Sequence, residues 1–365
     1  MINRIEQRLQ DAFTAGAELV RPETLRPADA VPRPRRRRIL APAMAALVVV
    51  ALIGLGIEDG PDTPPPVSTA AGGPRFLLTA GSDGLAVRDA RTGKITDRVV
   101  LPPALPPEEI PEAVPSGYLL TGTGYGTTFF VGQSMMSRTT PKNITWFHRL
   151  RVDDHGKVAE LTKDVFFAAF GDRVTSIAVS SDGTRLAYSQ DHKLCGTDMD
   201  SCPGARIVVT ELSGRYTRTW TSKGFGNIWS LSWAADHRTL AFAVKSEIRA
   251  FDTAAFEATL RTSRVVVRDV ATPTGVAISP DARTILVGRA SSSSDRRSSI
   301  EEHAVANGRR IRTVYSTNTA ARWTLVRYDV SGRHLLIKDT VHPLTRLDGN
   351  RTTTLSPADS LLATW

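Results

Sequence analysis

The stretch Thr175-Ser-Ile-Ala-Val-Ser-Ser-Asp-Gly-Thr-Arg-Leu-Ala-Tyr188 places a polar Ser-Ser-Asp-Gly turn between two runs of alternating apolar and polar residues. Period-2 alternation on both sides of such a turn predicts a β-hairpin. The same arrangement recurs at 231–242, at 276–287 and, more loosely, at 326–337. The turns are centred on residues that lie 54, 45 and 50 positions apart, namely Asp182, Asp236, Asp281 and Ser331. The hairpin is therefore a repeating unit.

A hairpin fills only part of a repeat of this length, so further strands are expected between the hairpins. Candidate strands followed by a turn of the Asp, Asn or Thr-Gly type lie at 82–94, 248–252 and 301–308, and a divergent earlier unit spans 129–131 and 147–156. Repeats of about 45–55 residues are typical of the four-stranded blades of a β-propeller. Residues 75–365 then hold about six units. We predict an all-β domain, a β-propeller of about six blades, with Asp164 to Phe170 as the best candidate for a short helix.

The repeat also predicts which residues face the core and how the ring closes. Ile177, Leu231, Val276 and Val326 should be equivalent inward-facing strand residues, with Leu186, Leu240, Ile285 and Leu335 opposite them. An open ring would leave long unpaired sheet edges. The last strand, near Leu361 to Trp365, is therefore expected to pair with residues near Arg75 or with its own neighbours.

The turn residues carry a resemblance to known proteins. Ser180-Ser-Asp-Gly183, Ser279-Pro-Asp-Ala282 and a partial match at 355–359 resemble the Ser-Pro-Asp-Gly turns of WD-repeat and TolB-like β-propellers. The chain departs from the WD-repeat pattern because no Trp-Asp dipeptide closes the blades and the Gly-His element is absent. The whole layout resembles a family of actinobacterial single-pass membrane proteins with a propeller outside the membrane.

An uncharged apolar run at 39–57 follows Arg33 and a cluster formed by Arg35, Arg36, Arg37 and Arg38. As a helix it is about 28 Å long, close to the thickness of the bilayer hydrocarbon. The positive-inside rule predicts that residues 1–38 are cytoplasmic and that the chain beyond about Glu58 lies outside the membrane. A cleaved secretory signal is the alternative, although the segment before the apolar run is long for one.

The chain is thus predicted to have four parts. The cytoplasmic part, 1–38, has an amphipathic helix at 1–20 followed by an Arg/Pro-rich linker. A transmembrane helix at 39–57 leads to a Pro/Gly-rich stalk at 58–74 and then to the β-propeller at 75–365. The N-terminal helix has two open interpretations: it is a weak helix that rests on the inner leaflet or is frayed in solution, or it binds a cytoplasmic protein.

The net charge of +9 does not indicate a nucleic-acid site. Residues 1–38 hold nine arginines and five acidic residues, a net +4, so +5 is spread over the rest of the chain. The arginine cluster serves membrane topology and attracts anionic lipid headgroups by about 1 kcal/mol per residue. The membrane is therefore an expected partner and nucleic acid is not.

Cys195 and Cys202 are the two cysteines of the chain. In an oxidising exterior they are expected to form a disulfide, whose short loop would contribute about 2–3 kcal/mol. The alternative is a metal site formed by His192, Cys195, Cys202 and either Asp198 or Asp200, but single-loop zinc sites usually show Cys-x-x-Cys spacing and a second ligand pair. We expect no metal and no cofactor.

Motifs of the common catalytic sites are absent. The sequence has no Gly-x-Ser-x-Gly elbow, no His-Glu-x-x-His helix and no Walker loop. Gly122-Thr-Gly-Tyr-Gly126 has the composition of a phosphate loop, but no helical pattern follows it, which favours a β-turn. The seven histidines, among them His148, His155 and His237, occur singly and are expected at the surface. The chain is therefore predicted not to be an enzyme.

These features favour a membrane-anchored extracytoplasmic propeller that acts as a non-catalytic binding, sensing or scaffold module for a protein or glycan ligand. The alternative is a transmembrane regulator resembling an anti-sigma factor, in which residues 1–20 bind a transcription factor. The His-x3-Cys-x2-Cys zinc signature of many such regulators is missing. A third possibility is a propeller enzyme with catalytic residues in the central channel, for which the sequence indicates no residues.

Overall fold

The computed structural model describes residues 73–365 with gaps at 83, 103–112, 139–142, 169–172, 192–203, 215, 223–224, 226, 256–258, 271–274, 291–296 and 356–361. All described residues belong to one compact unit, 67–365. The predicted cytoplasmic helix, its linker with Arg35, Arg36, Arg37 and Arg38, and the apolar run lie outside the described residues. No helix in the described part of the chain is long and apolar enough to cross a bilayer.

Twenty-four strands in the described residues form six antiparallel sheets of four, here called blades 1 to 6. Blade 1 contains β1 (Phe76–Gly81), β2 (Gly84–Asp89), β3 (Ile95–Val99) and, from the C-terminal end, β24 (Leu362–Thr364). Blade 2 contains β4 (Ala113–Gly122), β5 (Thr128–Ser137), β6 (Asn143–Val152) and β7 (Val158–Ala168). Blade 3 contains β8 (Arg173–Val179), β9 (Arg185–Asp191), β10 (Ala205–Glu211) and β11 (Thr217–Ser222).

The remaining blades follow the same order along the chain. Blade 4 contains β12 (Ile228–Trp233), β13 (Thr239–Val244), β14 (Glu247–Asp252) and β15 (Arg264–Val267), with a 3-10 turn at Leu260–Thr262 before β15. Blade 5 contains β16 (Val276–Ile278), β17 (Thr284–Arg289), β18 (Ser298–Ala304) and β19 (Arg310–Thr317). Blade 6 contains β20 (Trp323–Tyr328), β21 (His334–Asp339), β22 (Thr345–Asp348) and β23 (Arg351–Thr354).

The sheets are arranged as a closed ring, because each pair of neighbouring blades shares one hydrophobic cluster. Phe76 and Leu78 of blade 1 pack with Phe129 of blade 2, and the next four seams are built in the same way. The sixth cluster joins Leu336 of blade 6 to Trp365, which follows the closing strand of blade 1. The structure therefore confirms the predicted all-β six-bladed propeller.

The four predicted hairpins and the hairpin between β4 and β5 have equivalent turns. In each, one residue opens the turn by donating its N–H to the carbonyl five residues later, and these opening residues are Thr123, Ser180, Ala234, Ser279 and Asp329. The carboxylate two positions after Ser279 accepts hydrogen bonds from the Ser279 hydroxyl and the Arg283 N–H, which lower the pKa of Asp281. The polar turn residues of the repeat thus hold the hairpin geometry.

The predicted core positions are confirmed, with one difference in register. Ile177, Leu231, Val276 and Val326 are all buried and stand three residues before the residue that opens the turn. Their direct cross-strand partners are Tyr188, Phe242, Val287 and Ile337. The predicted partners Leu186, Leu240, Ile285 and Leu335 are also buried but pair two residues nearer the turn.

Two other expectations are wrong. Asp164 to Phe170 is not a helix, because β7 runs to Ala168 and pairs with β6 at Trp146 and Phe147, so sheet pairing overrides the local pattern. The histidines are not all at the surface. His148 is buried beside Gln133, and a second histidine, His303, is buried beside Glu301.

Candidate ligand site in the central cavity

The innermost strands of the six blades, β4, β8, β12, β16, β20 and β24, surround a cavity of about 170 Å³ on the propeller axis. In a propeller these strands are related by rotation, so their beginnings lie at one end of the channel and their hairpin turns at the other. Residues from both ends line the cavity, from Thr175 and Trp229 to Pro280 and Val330. The cavity is therefore a channel site and not a groove on the rim.

Hydroxyl side chains hold neighbouring inner strands together around this cavity. The Thr121 hydroxyl accepts a hydrogen bond from the Val179 N–H at 3.2 Å, and the Ser232 hydroxyl accepts one from the Ile278 N–H at 3.1 Å. The innermost edge of each blade has no further strand to pair with, so its N–H groups need such acceptors. These polar lining residues therefore join the inner strands of neighbouring blades and help to close the ring.

One position of this lining differs between the blades. The residue two positions before the turn-opening residue is Thr121 in blade 2, Ala178 in blade 3, Ser232 in blade 4 and Ala277 in blade 5, but Arg327 in blade 6. Blades 2 to 5 therefore have a small side chain at the position where blade 6 has a long cationic one, and Thr121, Ala178, Ser232 and Arg327 line the cavity.

The Arg327 guanidinium reaches across two neighbouring blades. Its Nη1 donates to the Thr364 hydroxyl of blade 1 at 3.0 Å and to the Thr121 hydroxyl of blade 2 at 2.7 Å. Surrounding protein atoms desolvate the group and lower the pKa of Arg327 to about 10, so it remains a cation at neutral pH. No acidic side chain among the described residues forms an ion pair with it.

The cavity contains one acidic residue among its described lining residues, Asp329. Its carboxylate is used within its own turn, where Oδ1 accepts from the His334 N–H at 3.0 Å and Oδ2 accepts from the Ser331 hydroxyl at 2.5 Å. The neighbouring phenol of Tyr328 has a raised pKa because burial disfavours its ionised form. The charge that is free to act on a ligand is therefore that of Arg327.

Trp229 lines the other end of the cavity. It lies at the beginning of β12 and is 48 % exposed, whereas Trp220, Trp323 and Trp365 are almost completely buried. A large aromatic surface left open at a polar cavity is a common feature of ligand sites. Neither Trp229 nor Arg327 belongs to the site residues predicted from the sequence, although the fourth of the aligned hairpins has Arg327 where the other copies have Ala or Ser.

Two clusters outside the cavity bring together groups used in catalysis. The His342 Nδ1 lies 2.6 Å from the Asp339 carboxylate and its Nε2 lies 3.5 Å from the Thr317 hydroxyl. The Asp339 carboxylate also accepts the N–H groups of Val341 and His342, so these contacts are those of a turn. A turn of this kind orders the chain between β21 and β22.

The second cluster surrounds Glu301, which is ion-paired with Arg289 at 2.6 Å and with Arg310 at 3.4 Å and contacts His303. The His303 ring also contacts the Gly308 carbonyl at 3.0 Å. This network ties β17, β18 and β19 together, and its carboxylate is already neutralised by two arginines. The described residues contain no cluster of three or more side chains suited to a metal ion.

The site residues expected from the sequence are placed as follows. Cys195 and Cys202, with the alternative metal ligands His192, Asp198 and Asp200, lie outside the described residues, so the disulfide stays a prediction. The glycine-rich segment 122–126 is a turn between β4 and β5 whose Gly124 N–H donates to the Trp365 carbonyl. It supports ring closure, and the strand β5 follows it where a phosphate loop would have a helix.

The fold and the cavity define a closed six-bladed β-propeller with a polar channel site. No known protein family matches the chain, and no curated protein matches it. Similar solved structures include a nidogen/laminin complex, with 13 % sequence identity and a TM-score of 0.47 over 59 % of this chain and 76 % of that chain. Another is a putative TolB from Agrobacterium tumefaciens, with 13 % identity and a TM-score of 0.47 over 77 % of this chain and 87 % of that chain. A third is the Cps50 (Swd1) β-propeller domain of Myceliophteria thermophila, with 14 % identity and a TM-score of 0.37 over 66 % of this chain and 70 % of that chain. The fold assignment rests on the six sheets and their closure.

Proposed function

We propose that this protein is a membrane-anchored, extracytoplasmic binding module that senses or presents a ligand held in the central cavity. The observation that carries the proposal is the cavity itself, a polar channel with one open tryptophan at one end and one unpaired cation near the other. Six blades fixed by six hydrophobic clusters give this cavity a rigid wall. Rigid, pre-formed and partly polar cavities are suited to binding.

The membrane part of the proposal is supported by the sequence. The arginines on the N-terminal side of the apolar run at 39–57 and the acidic residues after it favour a cytoplasmic N-terminus. The non-catalytic part is supported by the contacts of the two histidine clusters, which serve turns and strand pairing. No observation on the described residues specifically favours anti-sigma-like regulation through residues 1–20.

Protease added to intact cells is expected to remove the propeller and leave an N-terminal tag protected, because residues 1–38 are proposed to be cytoplasmic. Immunoblotting of an N-terminal and a C-terminal tag on the same chain measures both sides at once. Protection of both tags until the cells are lysed would place the propeller inside. Digestion of the N-terminal tag with protection of the C-terminal tag would reverse the topology.

Ligand binding in the cavity is expected to shield Trp229 from acrylamide. Trp229 is the most exposed tryptophan of the described residues, because Trp220, Trp323 and Trp365 are almost completely buried and Trp146 and Trp233 are only partly exposed. Small carboxylates, phosphates and sugars that raise the melting temperature of the full-length chain are the probes. A ligand that stabilises the wild type and reduces its quenching more than that of Trp229→Phe, in which the partly exposed Trp233 still lines the cavity, supports the proposal. Stabilising ligands that never alter quenching would place binding elsewhere.

A further inference from the structure

We propose that the ligand of the central cavity carries a carboxylate or phosphate group and that Arg327 binds this group through its Nε and Nη2 edge. The inference rests on the proposed function, because it concerns the same cavity, and adds the chemical class of the ligand. The cavity of about 170 Å³ has room for a small molecule rather than for a single water.

The first argument is the uncompensated charge. The two groups that Arg327 contacts, the hydroxyls of Thr121 and Thr364, are neutral, and both residues are almost completely buried. A cation taken out of water is normally paired with an anion, because neutral acceptors recover only part of the lost hydration. By contrast, Arg346, a buried arginine of the same blade, has the Asp348 carboxylate at 2.7 Å. Arg327 lacks such a partner within the described chain.

The second argument is the direction of the free donors. A guanidinium has five N–H donors, and the two contacts of Arg327 both involve Nη1. Nε and Nη2 form no hydrogen bond with the described residues. Both nitrogens are nevertheless accessible to solvent. They therefore open to the cavity that Arg327 lines. The Nε and Nη2 edge is one that binds a carboxylate or phosphate with two parallel hydrogen bonds.

The third argument is the space around the group. At the equivalent positions of blades 2, 3 and 4, the short side chains of Thr121, Ala178 and Ser232 line the cavity and take up little of its space. The carboxylate of Asp329 is turned into its hairpin by the Ser331 hydroxyl and the His334 N–H, so it does not neutralise the free edge. The cavity thus combines one available cation with room for its counterion.

The competing explanation is that Arg327 only fastens the ring, since its two contacts lie on the first and second blades. Arg327→Met separates the two ideas, because methionine fills similar space without charge or donors. If Arg327 is an anion site, this variant melts no lower than the wild type in anion-poor buffer, because it removes an uncompensated charge. If Arg327 only fastens the ring, the variant has a lower melting temperature than the wild type, and added anions do not change the melting temperature of the wild type.

The experiment is a titration of the full-length chain with inorganic phosphate, acetate or malonate at millimolar concentration, with ionic strength held constant by sodium chloride. Calorimetry and thermal unfolding are expected to show binding to the wild type, weakened about ten- to hundredfold in Arg327→Met. Arg327→Lys keeps the charge but loses the paired donors, so it binds at least about tenfold more weakly. Arg333→Met, which removes an exposed arginine of the same blade, is the matched control and keeps wild-type binding.

Thr364→Val gives an independent test, because it removes a contact of Nη1 and leaves the free edge unchanged. It is expected to lower stability and to keep the response to anions. The phosphate and carboxylate arms identify which anion the site prefers. Absence of any anion effect in the wild type, or equal binding by Arg327→Met, would overturn the inference. A ligand that shields Trp229 and binds Arg327→Met as tightly as wild type would overturn it while leaving the proposed function intact.

Discussion

A chain that lacks residues 360–365 is expected to lose about 5 kcal/mol or more of its free energy of unfolding, which is a large part of the stability of a typical domain. The deletion removes β24, whose three residues pair with β1 at Leu78, Thr79 and Ala80. It also removes Trp365, which is completely buried. Burying a tryptophan of this kind contributes about 4–6 kcal/mol. Urea unfolding followed by circular dichroism measures the loss.

The deletion also removes every contact by which the C-terminal residues fasten neighbouring blades. The Trp365 carbonyl accepts from the Gly124 N–H of blade 2, and the Trp365 ring lies under the Arg346 guanidinium of blade 6. The Thr364 hydroxyl accepts from Arg327. Without them, β1 and the inner edges of two blades are exposed to solvent.

Two substitutions test whether the loss of stability comes from the burial of Trp365 and not from the removal of any tryptophan. Trp365→Ala is expected to cost about 3–5 kcal/mol, the usual range for a buried aromatic residue. Trp229→Ala, at a half-exposed position, is expected to change stability by less than about 0.5 kcal/mol. A truncated chain that unfolds at the wild-type urea concentration would show that the ring does not depend on β24.

The repeat in the sequence is sufficient to predict the fold because the same pattern of strand, polar turn and strand recurs several times. Period-2 alternation, the polar turn and the 45–54-residue spacing all point to one arrangement, and the turn-opening hydrogen bonds confirm their equivalence. The false helix at Asp164 to Phe170 shows the limit of this reasoning. That segment has no counterpart in the repeat, so only its pairing with β6 decides its structure.

The candidate site was less accessible to sequence reasoning. Arg327 looks like any surface arginine in Leu325-Val-Arg-Tyr328, and its importance comes from hydroxyls on two blades that are 37 and 206 residues away. Trp229 looks like a core residue of β12, yet it is left half-exposed because the strand begins at the open end of the channel. Both properties depend on how the ring closes, which no local pattern expresses.

Gly93→Ala is expected to cost about 3–5 kcal/mol, whereas Gly349→Ala should cost only about 1–2 kcal/mol. Both glycines lie in turns between the third and fourth strands of a blade, Gly93 in blade 1 and Gly349 in blade 6, and both have a positive φ, of 70° and 59°. Alanine is strained in this left-handed conformation by about 1–2 kcal/mol at either position. This shared cost makes Gly349 a matched control.

The difference between the two variants arises from the neighbouring blade. A Cβ on Gly93 would lie 1.5 Å from the carbonyl oxygen of Leu355, which follows the last strand of blade 6, whereas a Cβ on Gly349 would meet nothing within 4 Å. A backbone carbonyl does not move aside as a flexible side chain does, so the turn of blade 1 must separate from blade 6. Because deletion of residues 360–365 weakens the same seam, the cost of Gly93→Ala should be smaller in the truncated chain than in the full-length chain. Equal losses for Gly93→Ala and Gly349→Ala would mean that the outer part of this seam is open, and that β24 alone closes the ring.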